Sequence, residues 1–500
     1  MLKILSTRQV KELDQFTIEH EPIAPIDLME RACHAFIHWF VQHVRLEKKI
    51  GIICGTGNNG GDGLGIARLL NDKGYSVKVW IVRGEMADTE SFKTNLKRLP
   101  EKITVVEISK FAKQELFKEC NVLVDAILGS GLSRPAQGIY SQVISSINQT
   151  DAQRIAIDIP SGLFADTHSE GEIVQADHTI SFQLPKLSFL FAENQKYVGD
   201  WHLTDIGLSK EFIRNAPTQN FLVTAKSVKK IIKPREKFSH KGTYGHALLI
   251  SGSFGKMGAC VLAAKAALRS GLGLLTIHVP SSGYSIIQAS APEAMASVDA
   301  EENYFSCAPG NLNYSTIGIG PGIGKGSETV IAFAKVLKQF KRPMVIDADA
   351  LNILSENKEL IELIPEGSIL TPHPKEFERL AGTWTDDFNR LELLRSFSSK
   401  IKSIVVLKGA YSAIANPDGK VYFNSTGNPG MATGGSGDVL TGILTGLLSQ
   451  GYSSIDAAIL GVYAHGLSGD LAAADLGMDS LIAGDVVEFL PYAFKKMHSA

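Results

Sequence analysis

Short apolar runs rich in β-branched residues alternate with helix-like segments along both halves of the chain. In the first half, the runs that predict strands are residues 49–54, 75–82, 121–128 and 154–159. In the second half, they are residues 246–251, 273–279, 315–320, 343–348, 367–371 and 403–408. These runs are almost continuously apolar, which is typical of parallel strands covered by helices on both faces. Together with segments of helical spacing, such as residues 259–270, the pattern predicts an α/β fold in two successive domains.

The strand rhythm is interrupted once, between residues 209 and 240, where the chain is strongly basic and carries two prolines. The interruption predicts a linker at 216–229 between one domain of residues 1–215 and another of residues 230–500. The basic run is typical of a solvent-exposed connector. For its end, residues 239–242, contact with a phosphate group of a ligand is an alternative interpretation.

The charge balance and the cysteines exclude several classes of protein. Lys plus Arg number 50 and Asp plus Glu number 52, so the formal net charge is −2 and nothing favours nucleic acid or an anionic membrane as partner. The five cysteines form no C-x-x-C pair, which leaves neither a zinc ribbon nor a thioredoxin-type site. No uncharged apolar stretch approaches the ~18–20 residues of a membrane span, and the chain start turns polar too soon for a signal peptide. We therefore expect a cytoplasmic protein.

A glycine-rich loop, GTGNNGGDG at 55–63, joins a predicted strand to a predicted helix. Its glycines fit G-x-G-x-x-G, in which a helix N-terminus binds a diphosphate. An NAD dehydrogenase would place an acidic residue about 20 residues later, but Arg83 stands there, which suits at most an NADP enzyme. The loop also contains three polar side chains that phosphate binding does not require, those of Asn58, Asn59 and Asp62.

Two further predicted strands end in polar residues on the same side of such a sheet. Asp125 ends one of them, and Asp158 and Ser161 follow the next. The carboxyl ends of parallel strands are where open α/β sheets bind ligands. Asn59, Asp125 and Ser161 together offer hard oxygen ligands with one formal charge, which suits a monovalent cation. Each aspartate taken alone fits a cap of the following turn equally well.

The motifs NNGGDG, VDAILGSGLSR and IDIPSGL, in this order and spacing, resemble the N-terminal domain of bifunctional NAD(P)H-hydrate repair enzymes, the NAD(P)HX epimerase. The resemblance covers about residues 1–215 and implies a Rossmann-like three-layer domain, with Asp158 as a catalytic residue. It implies that the substrate is bound by Asn58, Asn59, Gly60, Gly61, Asp62, Gly129, Ser130, Gly131, Leu132, Ser133, Arg134, Pro135 and Asp158. It implies that a potassium ion is held by Asn59, Asp125 and Ser161.

The second half carries its own glycine-rich loop, NPGMATGGSGD at 428–438, before a predicted helix. The glycines leave backbone N–H groups free for an anion, and Asp438 places a carboxylate beside them. Phosphoryl-transfer enzymes need donors that stabilise the developing charge and a base for the attacking hydroxyl. No G-x-x-x-x-G-K-[ST] pattern occurs, so a P-loop NTPase is excluded. Asp347 and Asp349 fit a magnesium pair, and Asp349 fits a helix cap equally well.

The second half also carries the motifs GPGIG, VIDADALN, LTPHPKEFERL, LKGAYS and GNPGMATGGSGDVLTGI. They resemble the ADP- or ATP-dependent NAD(P)H-hydrate dehydratases over about residues 230–500, which implies a ribokinase-like three-layer α/β/α domain that uses ADP with Mg²⁺. The resemblance implies that the hydrated nucleotide contacts Ala259, Gly322, His373 and Asp438. It implies that ADP or AMP is bound by Lys408, Gly409, Ala410, Tyr411, Ser412 and Gly437.

The two resemblances together imply a metabolite-repair enzyme whose partners are the small molecules NAD(P)HX and ADP, and they favour a homo-oligomer. The first domain would interconvert the R and S epimers of NAD(P)HX, the hydrated form of NAD(P)H. The second would dehydrate the S epimer to NAD(P)H at the expense of ADP, giving AMP and phosphate, with Asp438 as the catalytic base. Three alternatives stay open: a ribokinase-like small-molecule kinase fused to a nucleotide-binding domain, an NADP dehydrogenase, and a non-catalytic nucleotide-binding module in the first half.

Overall fold

The computed structural model describes residues 1–85, 87–110 and 114–499. These residues divide into two compact units. The first unit comprises Lys3–Thr218 and Asp386–Phe388, and the second comprises Met1–Leu2, Gln219–Thr385 and the chain from Asn389 onward.

The chain begins with a two-residue strand, β1 (Leu2–Lys3), after which the first unit alternates strands and helices. The strands of its sheet are β2 (Lys49–Cys54), β3 (Ser76–Val82), β4 (Thr104–Ile108), β5 (Val122–Ala126), β6 (Gln153–Ile157), β7 (His178–Phe182) and β8 (Asp200–Thr204). Its helices are α1 (Thr7–His20), α2 (Pro25–His43), α3 (Asn58–Asp72), α4 (Glu90–Lys97), α5 (Ile139–Asn148), α6 (Gln195–Val198) and α7 (Lys210–Asn215).

The strands β2–β8 form one parallel sheet with the order β4-β3-β2-β5-β6-β7-β8. Successive residues of β2 point to opposite faces of the sheet. Ile52 packs in a cluster with α2 and α3, whereas Ile53 packs in a cluster with α5. Helices therefore cover both faces, which makes the unit a three-layer α/β structure.

The second unit is larger and follows the same alternation. Its strands are β9 (Asn220–Leu222), β10 (His246–Ile250), β11 (Leu274–Val279), β12 (Met295–Val298), β13 (Thr316–Ile319), β14 (Val345–Ile346), β15 (Ile369–Leu370), β16 (Ile404–Leu407), β17 (Ala413–Ala415) and β18 (Val421–Phe423). Its helices are α8 (Ala225–Lys229), α9 (Met257–Arg269), α10 (Tyr284–Ser290), α11 (Ser327–Gln339), α12 (Ala348–Glu356), α13 (Pro374–Ala381), α14 (Asp387–Lys400), α15 (Ser436–Ser449), α16 (Ser454–Leu476) and α17 (Ala483–Ser499).

The strands β9–β18 lie in the order β9-β18-β17-β16-β15-β14-β13-β10-β11-β12. All neighbours pair in parallel except β16–β17 and β17–β18, which are antiparallel. Val345 of β14 belongs to the core formed with α15, α16 and α17. The next residue, Ile346, points to the opposite face and is also fully buried. Both faces of this sheet are therefore covered, as the predicted α/β fold requires.

All ten strands predicted from the apolar runs are present, with ends that differ by up to two residues. The strands that the pattern missed include β4 and β8, the two edges of the first sheet, and β7, next to β8. Strand β4 is mostly exposed and β8 is only partly buried, whereas β7 is buried at its three central positions but places the polar residues Thr179 and Ser181 there. A continuous apolar run marks strands buried on both faces, so it does not detect edge strands.

The segment predicted as a linker, 216–229, is more ordered than a connector. It contains β9 and α8, and Val223 and Val228 are buried in the core of the second unit. The sequence pattern does not predict these elements, because their few apolar residues are scattered among polar and basic ones. Among the described residues, no helix is both long and apolar enough to cross a bilayer.

Candidate active sites

The first glycine-rich loop, residues 55–63, passes so close to other backbone atoms that two of its positions have no room for a side chain. A Cβ on Gly60 would lie 1.9 Å from the carbonyl oxygen of Gly55, and a Cβ on Gly55 would lie 2.0 Å from that of Ile127. Only glycine therefore allows the β2–α3 loop to pack against the chain leaving β5. Helix α3 begins at Asn58 without a side-chain cap, which leaves its N-terminus open to a ligand.

A cavity of about 570 Å³ is lined by the loops that follow β2, β5, β6 and β7. Its volume suits a small-molecule ligand. The predicted substrate-binding residues that line it are Asn58, Asn59, Asp62, Gly129, Ser130, Gly131, Leu132, Ser133, Arg134 and Asp158. The other three, Gly60, Gly61 and Pro135, are not among its lining residues. The loops predicted from separate motifs therefore meet at one place.

Several lining residues carry no motif and were missed by the sequence analysis. The chemically active ones are Lys11 and Asp14 of α1 and Lys186, which follows β7. An apolar wall is formed by Val10, Ile18, Pro25, Leu28, Met29, Ala32, Phe182, Ile206 and Leu208. The sequence signals for α1 are its helical spacing and the run STRQVKELDQ at 6–15, which also resembles the start of the epimerase family, and neither singles out Lys11 or Asp14.

Asp158 and Lys186 form a buried ion pair in the wall of this cavity. Asp158 has a φ of 63°, a left-handed conformation that is uncommon for a residue other than glycine. Its Oδ1 accepts hydrogen bonds from the N–H of Phe182 at 3.1 Å and the hydroxyl of Ser181 at 3.3 Å. The Nζ of Lys186 donates to Asp158 and to Ser181, and Lys186 is only 6% exposed. Such a pair is held in place and can exchange a proton with a ligand.

Two more carboxyl groups face the same cavity. Burial raises the pKa of Asp62 well above its usual range, and the charges of Asp158 and Asp14 raise it further. Burial raises the pKa of Asp14 to about 6, with the charge of Asp158 adding to the effect and that of Lys186 opposing it. Perturbed carboxyl groups in a cleft are typical of sites that carry out acid–base chemistry.

The three residues predicted to hold a cation come together beside the carbonyl oxygen of Leu128. Asp125 accepts hydrogen bonds from the N–H and the hydroxyl of Ser161, at 2.7 and 2.6 Å. The side-chain amide of Asn59 donates to Leu128 O at 3.1 Å, and the Ser161 hydroxyl lies 3.1 Å from it. Burial raises the pKa of Asp125 to about 6, and within the described residues it forms no salt bridge. A buried carboxylate without an ion-pair partner, beside the Ser161 hydroxyl and near the Leu128 carbonyl, fits a monovalent cation.

Arg83, on which the alternative of an NADP dehydrogenase depends, binds two carboxylates of the protein. Its guanidinium donates to both carboxylate oxygens of Asp88, at 2.7 and 2.8 Å, and to Glu107 at 3.0 Å. Two carboxylates already neutralise its charge, so it offers little to a 2′-phosphate.

The loop before α15 in the second unit forms an open helix N-terminus. Gly435 occupies the N-cap position with a φ of 91°, a left-handed conformation that favours glycine. The helix has no side-chain cap, so its first N–H groups can bind an anion. Asp438 lies in the first turn of this helix.

A second cavity, of about 410 Å³, lies against Asp438. Ala259 of α9, Gly322 after β13 and Asp438 of α15 all line it, so three of the four predicted substrate contacts come together. Its other lining residues are Gly255, Lys256, Gly258, Ala348 and Asp349. His373 and the predicted nucleotide-binding residues are not among the residues that line it.

Asp438 is suited to act as a base in this cavity. Burial raises its pKa to about 6, the charge of Asp347 adds to the effect and that of Lys408 opposes it. A base of this pKa is ionised at neutral pH and still close enough to neutrality to accept a proton efficiently.

Asp347 and Asp349, which the sequence left between a magnesium pair and a helix cap, both bind protein groups. Asp347 is buried, and its two oxygens accept hydrogen bonds from Lys408 Nζ at 3.0 Å and the Thr441 hydroxyl at 2.7 Å. Asp349 accepts the N–H of Gly324 at 2.9 Å. Neither side chain caps α12.

His373 has a structural contact that the sequence did not suggest. It is the N-cap of α13, and its Nδ1 accepts the N–H groups of Lys375 and Glu376 at 3.1 and 3.3 Å. Burial lowers the pKa of His373, and the charge of Lys408 lowers it further, which favours the neutral ring that this cap requires. Its Nε2 lies 3.5 Å from the Glu376 carboxylate, and the side chain is 45% exposed, so part of the ring can contact a ligand.

The predicted nucleotide-binding residues lie beside α15. A Cβ on Gly437 would lie 3.5 Å from Lys408 Nζ, so the lysine reaches the open N-terminus of that helix. After Lys408 the chain turns tightly, and the Ser412 hydroxyl donates to Gly409 O at 3.1 Å. Lys408, which is also paired with Asp347 at 3.0 Å, and the open helix N-terminus together form a corner whose N–H donors can bind phosphate.

Comparisons with known families match both halves of the chain. Residues 25–188 match the family described as YjeF-related protein N-terminus. Residues 247–491 match the family described as NAD(P)H-hydrate dehydratase.

Relatives of similar length match nearly the whole chain. The bifunctional NAD(P)H-hydrate repair enzyme Nnr of Moorella thermoacetica is 35% identical, with 99% of this chain and 97% of the relative covered. The enzyme of the same name from Coxiella burnetii is 35% identical, with 98% and 99% covered. A crystal structure of the ADP/ATP-dependent NAD(P)H-hydrate dehydratase from Bacillus subtilis, co-crystallized with ATP/Mg²⁺, is 32% identical and covers 55% of this chain and 97% of its own, with a TM-score of 0.49. The chain therefore belongs to the family of bifunctional NAD(P)H-hydrate repair enzymes.

Proposed function

We propose that the two units carry two successive activities on hydrated nicotinamide nucleotides. The first unit interconverts the R and S epimers of NAD(P)HX. The second unit dehydrates the S epimer to NAD(P)H, with ADP converted to AMP and phosphate. Relatives that span the whole chain are named for the repair of NAD(P)H hydrates, which supports both activities.

The observation that carries this division is that each unit has its own cavity, lined by residues of its own motifs. The cavity of about 570 Å³ is built from residues of the first unit. The cavity of about 410 Å³ is built from residues of the second unit. Two activities on one chain require two such sites.

In the epimerase site, Asp158 serves as a proton-transfer residue, since it lines the cavity and is held by Lys186. Asn58, Asp62 and the loop 129–134 bind the nucleotide around it. Potassium would be held by Asn59, Asp125 and Ser161, where it would balance the buried charge of Asp125 and fix the loop that carries Leu128. The cation therefore organises the site rather than entering the reaction.

In the dehydratase site, Asp438 takes the proton of the ring hydroxyl as that oxygen attacks the terminal phosphorus of ADP and AMP leaves. Lys408 and the N–H groups of α15 stabilise the charge on the transferring phosphoryl group. Phosphate then leaves as the C–O bond breaks, pushed by the lone pair of the ring nitrogen, and the neighbouring ring carbon loses a proton. Phosphorylation thus converts hydroxide, a poor leaving group, into a good one.

Magnesium would arrive with the nucleotide and neutralise its phosphate charge. The carboxylate of Asp349 lines the cavity beside Asp438 and offers the hard oxygen ligands that Mg²⁺ prefers. The Bacillus subtilis dehydratase was co-crystallized with ATP/Mg²⁺. A homo-oligomer and a cytoplasmic location, both expected from the sequence, remain predictions.

The test is to incubate the full-length protein with purified R- or S-NADHX, with and without ADP and Mg²⁺, and to follow the absorbance of NADH. Recovery from the S epimer only with ADP, and from the R epimer faster than spontaneous epimerisation allows, is the expected result. A stable phosphorylated product without NADH would instead identify a small-molecule kinase. NADH formation from S with no acceleration from R would identify the first unit as a binding module.

A further inference from the structure

Asp14 is the carboxyl group of the epimerase cavity that no motif marks. It lies on α1, whose N-terminus is fixed by a capping box at Ser6. Val10, Asp14 and Ile18 are spaced by one helical turn and all line the cavity. The rotation of the helix is fixed by its buried side, because Leu13 and Thr17 are fully buried and the N–H of Ser209 donates to the Thr17 hydroxyl at 3.0 Å. The fold therefore holds Asp14 facing the cavity.

The surroundings of Asp14 differ from those of Asp158. Asp158 is bound by Lys186, Ser181 and the N–H of Phe182. The carboxyl group of Asp14 has no hydrogen-bond or salt-bridge partner within the described parts of the chain, 1–85, 87–110 and 114–499. Burial is the main cause of its raised pKa, and the charge of Asp158 is the next. Two carboxyl groups with such different environments are the usual arrangement of an acid and a base that work together.

We propose that Asp14 is a second proton-transfer residue of the epimerase site, acting as the acid while Asp158, paired with Lys186, acts as the base. The inference rests on the proposed epimerase function of the first unit. Asp62 lines the same cavity, and burial raises its pKa well above the usual range, which favours a neutral form that can donate a hydrogen bond to the substrate. Lys11, which also lines the cavity, carries a positive charge that suits the substrate phosphates.

The chemistry of the substrate calls for two such groups, because the carbon to be inverted carries both a hydroxyl and the ring nitrogen. Asp158 accepts the hydroxyl proton, the carbonyl forms, and the electron pair of the breaking C–N bond passes to nitrogen, which takes a proton from Asp14. Rotation about the adjacent C–C bond presents the other face of the aldehyde to nitrogen. Nitrogen then attacks, its proton returns to Asp14, and Asp158 returns a proton to oxygen. Both residues regain their starting states, and no other reactant is consumed.

The experiment compares Asp14→Asn with the wild-type full-length protein, using R-NADHX and S-NADHX as separate substrates with ADP and Mg²⁺. We expect kcat for R-NADHX to fall by about 10²-fold or more, the usual effect of removing a proton-transfer group. The rate on S-NADHX should be unchanged, because the second unit does not use Asp14. The matched control is Glu12→Gln, which removes the same charge from an exposed position of the same helix and should leave both rates unchanged.

The pH profile separates a proton-transfer role from a structural one. Wild-type epimerisation should decline above about pH 6, as Asp14 loses the proton it must donate, and this decline should be absent in the residual activity of Asp14→Asn. If Asp14→Asn has the same kcat on R-NADHX as the wild type, the inference is overturned. It is also overturned if the pH profile of the wild-type protein alone is flat from about pH 5 to pH 8. If the wild type itself does not accelerate conversion of R-NADHX while it still dehydrates S-NADHX, the epimerase function has failed, and the role of Asp14 fails with it.

Discussion

Replacing Asp438 by asparagine tests the chemistry of the second unit most directly. The substitution keeps the shape of the side chain in the first turn of α15 and removes the proton acceptor. Removal of a general base costs about 10²–10⁴ in rate, which corresponds to a barrier higher by roughly 3–5 kcal/mol. Lys408 and the loop 409–412 are unchanged, so ADP should bind at least as well, because a negative charge beside the phosphates has been lost.

The raised pKa of Asp438 sets the pH dependence of the wild-type enzyme. With a pKa of about 6, the carboxylate is mostly ionised at pH 7.5 and only about one-tenth ionised at pH 5. The rate of dehydration should therefore rise about tenfold between pH 5 and pH 7. Asp438→Asn should lose this rise, since asparagine has no carboxyl group that could ionise in this pH range.

The assay is the recovery of NADH absorbance from pure S-NADHX, with ADP affinity measured by calorimetry on the same samples. Asp456→Asn is the matched control, because Asp456 occupies the same first-turn position of α16 as Asp438 does of α15 and is absent from the lining of the cavity. Each variant loses about 0.3–1 kcal/mol of favourable interaction with its helix dipole, but only Asp438→Asn should lose rate. Near wild-type kcat in Asp438→Asn would refute the role of the base, and loss of ADP binding would show that the loop, rather than the base, had been damaged.

Three further perturbations test the remaining parts of the proposal. Asp125→Ala removes the buried charge of the cation site, so R-to-S conversion and its dependence on potassium should be lost while dehydration of S-NADHX is kept; equal loss of both activities would contradict the assignment. A fragment of residues 219–500 should dehydrate S-NADHX and stop at about half of an equal epimer mixture, whereas a folded but inert fragment would show that its site needs the first unit. Lys186→Met leaves Asp158 buried without its counter-charge and should destabilise the first unit by about 3–5 kcal/mol in urea unfolding; adding Asp158→Asn should recover part of that loss, and an additive double variant would show that the pair is not coupled.

The central strands could be predicted because burial on both faces requires apolar residues at nearly every position. Runs such as residues 49–54 and 403–408 are apolar at nearly every position, since both faces of the strand are covered. The edge strand β4 has only one strand beside it and exposes most of its side chains, so its residues resemble those of a loop. The short strand β9 and helix α8 bury only a few residues, and α8 carries two lysines, so the sequence pattern predicts a linker there.

The motif residues of the epimerase site could be predicted to meet because each follows the carboxyl end of a parallel strand. Asn59, Asp125 and Asp158 follow or end β2, β5 and β6, which are adjacent in the sheet. Lys186 follows the next strand, β7, but no glycine turn accompanies it. Asp14 lies outside the sheet altogether, on a helix whose sequence shows only ordinary amphipathic spacing. Its place in the site depends on how α1 packs, which local patterns do not contain.

The two sites share an arrangement of charge that the sequence conceals. In the first unit, Asp158 is paired with Lys186, while Asp14 forms no ion pair among the described residues and burial raises its pKa to about 6. In the second unit, Asp347 is paired with Lys408 while burial raises the pKa of Asp438 to about 6. All four residues are aspartates and read alike in the sequence, yet a lysine fixes one member of each set and burial leaves the other able to take up or release a proton. The role of each aspartate depends on whether a lysine pairs with it. That lysine is 28 residues away in the first unit and 61 residues away in the second, so the fold, and not the local sequence, determines the chemistry of each site.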